Sequence, residues 1–290
     1  MNKVDNKIDC DNNITKNNII TNNITKNKYK FFPKNKNELK EIIKNQIKKY
    51  GFDVDLNNIN TSQITDMSLL FYNSKFNGNI SEWNVSNVTN MSEMFYRSNF
   101  SGNIFEWDVS NVTNMSSMFY YSKFNQDIGN WDVSNVTDMF WMFGNSKFNK
   151  DINNWNVSKV TNMSSMFRHS KFNKNIGNWN VGNVINMSDM FGYSKFNQDI
   201  SNWNVSNVIN MDSMFFISKF NQDISNWDIS NVENMYTMFY HSEFNKNISK
   251  WFNKINNKCK LHNFGILNNI EINSYSDFKQ YHRQLILDKF

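Results

Sequence analysis

Residues 107–130 read WDVSNVTNMSSMFYYSKFNQDIGN, and residues 131–154 read WDVSNVTDMFWMFGNSKFNKDINN. The second stretch restates the first after a step of 24, and the same step continues in both directions. Trp recurs at 83, 107, 131, 155, 179, 203, 227 and 251, with Trp141 alone outside the series. Every methionine after Met1 falls in one of two columns, one opening at Met67 and one opening at Leu70 and continuing from Met94. Phenylalanine fills two more, from Phe71 and from Phe76. Eight copies without an insertion, over residues 61–251, mean that each unit follows the same path. That is the signature of a solenoid, in which one unit cannot bury its apolar face alone and stacking on neighbours completes the core.

Within a unit, the spacing of three in Val112, Met115 and Met118 drifts off one face of a 3.6-residue helix. The Ser, Thr and Asn between them are poor helix-interior residues. The pattern therefore predicts one short strand near M-x-x-M-F in each unit, followed by turns that use Ser, Asn and Asp to satisfy the backbone.

The consensus of the units, FNQDISNWDVSNVTNMSSMF, resembles the repeat of the BspA-like, leucine-rich-repeat-type bacterial surface proteins, a repeat of similar length also described from mycoplasmas and listeria. It also resembles the leucine-rich pattern in Val88, Met91 and Met94, followed by Asn99, Phe100, Ser101, Gly102 and Ile104. The segment between is one residue shorter than in that pattern, which leaves either Met94 or Phe95 as the inward residue. The resemblance covers roughly two thirds of the chain. It implies a leucine-rich-repeat-like parallel β-solenoid with binding carried on an exposed face, in a protein of the cell surface. No export signal, lipobox cysteine or membrane-spanning run is visible in the sequence, so a cytoplasmic location stays open beside the surface one.

Outside the array, residues 1–34 read as a flexible Asn- and Lys-rich tail, with NNITKN at 12 and again at 22. Residues 35–60 read as a helical cap: Asn35 with Glu38 forms a capping box, Leu39, Ile42, Ile43 and Ile47 share a face, and Gly51 ends it. Residues 252–290 form the opposite cap, with Ser274 and Asp277 starting a helix that presents Phe278, Tyr281 and Leu285. End caps are required because terminal units would otherwise expose their apolar columns.

Thirty-one Lys and Arg against 26 Asp and Glu give a net charge of +5 without clusters, so nucleic-acid binding is not expected. Cys10 and Cys259 lie far apart and read as free thiols. The four histidines have no metal spacing, and no phosphate-binding, dinucleotide or hydrolase motif occurs, so no enzyme activity, cofactor or metal is expected. Acid and amide pairs such as Asp127 and Asp132 read as turn hydrogen-bonders rather than calcium ligands, since other units place Asn there.

The invariant columns read as core, and the constant Ser from Ser74 to Ser242 reads as a hydrogen-bond ladder to turn backbone. The columns that vary are the informative ones. They hold Tyr72, Tyr96, Arg97, Tyr120, Tyr121, Phe140, Trp141, Arg168, His169, Tyr193, Phe216 and Tyr240. Tyr, Trp and Arg are residue types that anchor interfaces, where an idle surface uses Lys, Glu and Ser. These twelve are the candidate contact residues for a protein partner, with carbohydrate or small-ligand stacking on Tyr and Trp as the alternative.

Overall fold

The computed structural model of the protein describes residues 28–267 and 270–287. It shows a tandem-repeat protein with few helices and one small sheet. Successive units lie side by side, joined by parallel single-residue bridges that run Asp66, Asn90, Asn114, Asp138, Asn162, Asn186, Asn210, Asn234 and Lys260. The step is 24 until the last, where two extra residues are absorbed before Lys260. The array also extends outward past the first expected unit: Leu56 N–H bonds the Asn79 carbonyl, and Phe31 bridges Ile59. Residues 28–34, assigned to the tail from composition, are thus partly paired with the array. Cys10 and the rest of the tail lie outside the described residues.

The expected strand at M-x-x-M-F is absent, and this is a correction. Only the Asx residue before the first Met makes a ladder bridge; the chain then enters consecutive turns. The cause is local. Asn90 Oδ1 accepts the N–H of Ser92 at 3.0 Å, and Asn114 and Asp138 do the same for Ser116 and Phe140. Such an Asx turn pulls the backbone off the extended path directly after the bridge. Beyond it, N–H groups alternate in direction. Those of Met91, Glu93, Phe95 and Arg97 reach carbonyls of the next unit at 2.8–3.0 Å, while those of Met94, Tyr96 and Ser98 fold back to the carbonyl three residues earlier at 3.1–3.2 Å. Every backbone donor of the segment except that of Ser92, held by its Asn, is thereby satisfied by backbone.

Two residues per unit take positive φ in this segment, from Leu69 and Asn73 through Glu93 and Arg97 to Thr237 and His241. Successive side chains therefore do not alternate between faces, and both Met94 and Phe95 are fully buried. The choice left open between them dissolves, because it presumed the two-residue period of a strand.

The invariant columns form one continuous core. Phe rings of neighbouring units stack nearly parallel, as in Phe119 on Phe143 at 5.7 Å and Phe124 on Phe148 at 6.4 Å. Each indole N–H of the Trp column donates to an Ile or Leu carbonyl 27 residues earlier, from Trp83 to Leu56 through Trp251 to Ile224. Each Ser from Ser74 to Ser242 accepts the N–H of the Phe two residues on. The acids imagined as cation ligands are turn acceptors: Asp127 takes the Gly129 N–H and Asp132 the Ser134 N–H. No cluster of three potential metal ligands occurs among the described residues.

Both ends carry a helix. Helix α1, Lys36–Tyr50, is capped by Asn35, whose side chain accepts the Glu38 N–H, while Gly51 at φ 90° closes its far end; Leu39 and Ile43 are buried. At the other end an antiparallel pair, β1 (Gly265–Leu267) and β2 (Ile270–Ile272), precedes α2, Tyr275–Leu287. Ser274 and Asp277 cap α2 as expected, and Phe278 and Tyr281 are buried. The hairpin was not anticipated from sequence. No described helix is long and apolar enough to cross a membrane.

Ile217 is a β-branched residue at φ 50°, in a column that elsewhere holds Asn73 and Asn145. A β-branched side chain is a poor occupant of the left-handed region, whereas Asn enters it readily. Ile217→Asn is expected to raise stability by about 0.5–1 kcal/mol, measured by guanidinium unfolding. An equal loss would show that the exposed Ile side chain is held by contacts that outweigh the backbone.

Candidate interaction face

The turn segments place the varying columns outward together. Tyr72 stacks on Tyr96 at 4.8 Å, Tyr96 on Tyr120 at 4.7 Å, and Tyr120 meets Trp141 edge-on at 4.8 Å. The Arg168 guanidinium then lies 5.6 Å from the Trp141 ring and 4.9 Å from the Tyr193 ring. Tyr193 meets Phe216 at 5.0 Å, and Phe216 stacks on Tyr240 at 5.8 Å. Nine of the twelve candidates so form one continuous row with Arg168 as its only non-aromatic link once Phe140, which packs edge-on against Trp141, is included. The other three flank it: Arg97 covers the rings of Tyr96 and Tyr121, and His169 stacks on Tyr193 at 4.1 Å. Seven unit spacings of about 4.8 Å separate Tyr72 from Tyr240, so the row runs roughly 34 Å.

Exposure is uneven. Tyr72, Tyr121 and Phe140 are open to solvent, Arg97 and His169 likewise, and the remaining candidates are half-buried by their neighbours in the row. Burial raises the Tyr96 phenol above its ordinary value, with neighbouring Tyr120 adding to it. Burial likewise lowers the His169 imidazole, and the adjacent Arg168 cation adds to that effect.

Two glycines shape the row. A Cβ at Gly144 would sit 2.3 Å from the Trp141 ring, and one at Gly192 would sit 2.0 Å from the Asp189 carboxylate. In both units the positive-φ residue folds its side chain over the position three residues on, filling the gap that a missing Tyr leaves in the column. Asp189 thereby comes 2.5 Å from Nε of Arg168, close enough to pair by charge although the N–H is not aimed at it. Burial pushes the Asp189 carboxyl above the usual range while Arg168 opposes the shift.

A family model described as "Mycoplasma protein of unknown function, DUF285" matches the chain three times, over residues 37–147, 97–195 and 170–270. The chain belongs to this family. No curated protein and no solved structure gives a match.

That description assigns DUF285 no function, so the chemistry of the face carries the argument for this member. Glu93, Ser117 and Asp189 sit in the same varying columns as the aromatic candidates, although they were not among the candidate contacts. Glu93, Tyr96, Ser117, Tyr120, Phe140 and Trp141 line a cleft of about 280 Å³ in the row. A larger, shallower concavity of about 610 Å³ lies on other columns, lined by Thr137, Lys159, Thr161, Asn183, Ile185, Asn207 and Ile209. There the Thr hydroxyls already bond carbonyls of the preceding unit, as Thr161 does to Thr137 at 3.3 Å. This leaves that surface little unused polar chemistry.

Proposed function

We propose that the protein is a non-enzymatic interaction or adhesion module, a leucine-rich-repeat-like solenoid of the BspA-like kind whose units join by single parallel bridges, and that it presents the aromatic row to a protein partner. One observation carries the reading. The core columns hold one residue type, or nearly so, from unit to unit, whereas the outward columns vary and still select Tyr, Trp, Phe and Arg. Two positions per unit sit at positive φ without a single Gly, from Leu69 to His241, and Arg97, Tyr121, Trp141 and Tyr193 are among their occupants. Gly is the residue that such backbone would favour. Retaining large side chains there at a conformational cost is what a surface used for contact does. A row roughly 34 Å long also matches the span of a standard protein interface better than that of a small-molecule pocket. The BspA-like resemblance supports display on a cell surface.

Replacing Tyr120, Tyr121 and Trp141 together with Ser is expected to abolish retention of the labelled protein on a cell surface that retains the parent. The circular-dichroism spectrum should be unchanged and Tm nearly so. Unaltered retention would place the contact elsewhere, and loss of retention only together with folding would assign these rings to the core. The alternative, stacking of a small ligand on Tyr and Trp, is favoured at one place, the cleft between Glu93 and Trp141.

A further inference from the structure

We propose that the N-terminal end of the array is a docking surface for the head groups of an anionic phospholipid bilayer. The inference goes beyond the contact reading of the aromatic row and rests on a different part of the molecule. Residues 28–50 hold eight lysines, no arginine and two glutamates, a local charge of +6. Residues 51–290 hold 19 Lys and Arg against 21 Asp and Glu, a charge of −2. The near balance of the whole chain thus conceals a strongly basic end.

The fold turns this charge outward. Leu39 and Ile43 of α1 are buried and seal the end of the core, so the opposite side of the helix faces away from the array. Lys40, Lys44 and Lys48 recur at a step of four and share one exposed stripe, about 12 Å long. Lys28 is tied to Glu82, Lys36 to Asp66 and Lys44 to Glu41. Lys30, Lys34, Lys40, Lys48 and Lys49 have no ion pair among the described residues. A face that only keeps a protein soluble mixes both signs, whereas this one leaves five like charges unmatched. Exposed rings flank the stripe. Phe32 stands just before α1, and Tyr50 and Phe52 stand at its far end, about 22 Å along the axis. Aromatic rings settle at the level of lipid head groups, and each lysine near an anionic lipid surface strengthens binding roughly fivefold. Nucleic acid is the rival polyanion. Its phosphates favour the forked guanidinium of Arg, and its bases need rings aligned in a groove along the strand. Point-charge lysines between two separated groups of rings suit a broad surface of head groups instead.

Sedimentation of the full chain with vesicles tests this. Vesicles that mix phosphatidylglycerol into phosphatidylcholine are expected to carry the protein down, and vesicles of phosphatidylcholine alone are not. Raising salt from about 0.1 M to about 1 M cuts the screening length from about 10 Å to about 3 Å and should release it. Lys40→Gln, Lys44→Gln and Lys48→Gln together should weaken binding about hundredfold, with Tm nearly unchanged because all three side chains are exposed. Lys147→Gln, Lys171→Gln and Lys195→Gln together remove the same charge from exposed positions along the array and should leave binding within about twofold of the parent. Equal sedimentation with both kinds of vesicle, an equal effect of the two triple variants, or no sedimentation with the anionic vesicles overturns the proposal. So does tighter binding, per phosphate, to duplex DNA than to the anionic vesicles, which would assign the basic end to nucleic acid.

Discussion

Trp131→Ala is expected to destabilise the protein by about 3–5 kcal/mol, the largest effect of any single side chain considered. Trp131 is 3% exposed and packs against Phe119 with ring centroids 6.4 Å apart. Its indole N–H donates to the Ile104 carbonyl at 3.1 Å. Truncation opens a cavity between units and removes one of the two hydrogen bonds that the Ile104 carbonyl accepts, the other coming from the Trp107 N–H. Tyr121→Ala, on a residue 59% exposed, should cost less than about 1 kcal/mol. Guanidinium unfolding of both variants separates core from face, and comparable shifts would show that the columns are wrongly assigned.

What the sequence showed, and what it hid, follows from which interactions repeat. Stacking is a demand made identically on every unit, so Trp83 through Trp251 and the Met and Phe columns declare themselves by period alone. The Ser ladder and the Asx turns were legible for the same reason, since each bonds backbone two residues away in its own unit. The backbone path of M-x-x-M-F was not. Extended and turn conformations can bury the same side chains, and what separates them is the Asn90-type side chain capturing an N–H directly after the bridge. The Asn or Asp before each Met was the available signal, and it was read only as generic turn chemistry.

The face was legible as a set of residues but not as an arrangement. Tyr72, Tyr96 and Tyr120 stack because they share a column, which a step of 24 reveals. Trp141 joins them from a different column by folding over Gly144, and Asp189 folds over Gly192 in the same way. That substitution depends on positive φ three residues before the glycine, a feature no side-chain pattern announces when the residue is Trp or Asp rather than Gly. The hairpin β1–β2 was missed for a related reason: it occurs once, so no repetition marked it.

Removal of one whole unit tests the central reading, a stack of 24-residue units held by contacts between neighbours, most directly. Deleting residues 131–154 joins Asn130 to Trp155 and brings Asn162 to the bridge position that Asp138 occupies beside Asn114. Every column stays in register across the new junction, and the capping helices are untouched. Stability in such an array is close to a sum over units and their interfaces. The shortened protein is therefore expected to unfold cooperatively, with an unchanged circular-dichroism shape and a modestly lower Tm. Deleting residues 131–142 instead sets the Trp column of one side against the middle of the unit on the other, and should abolish cooperative unfolding. Equal loss of structure in both deletions, or equal tolerance of both, would contradict the account.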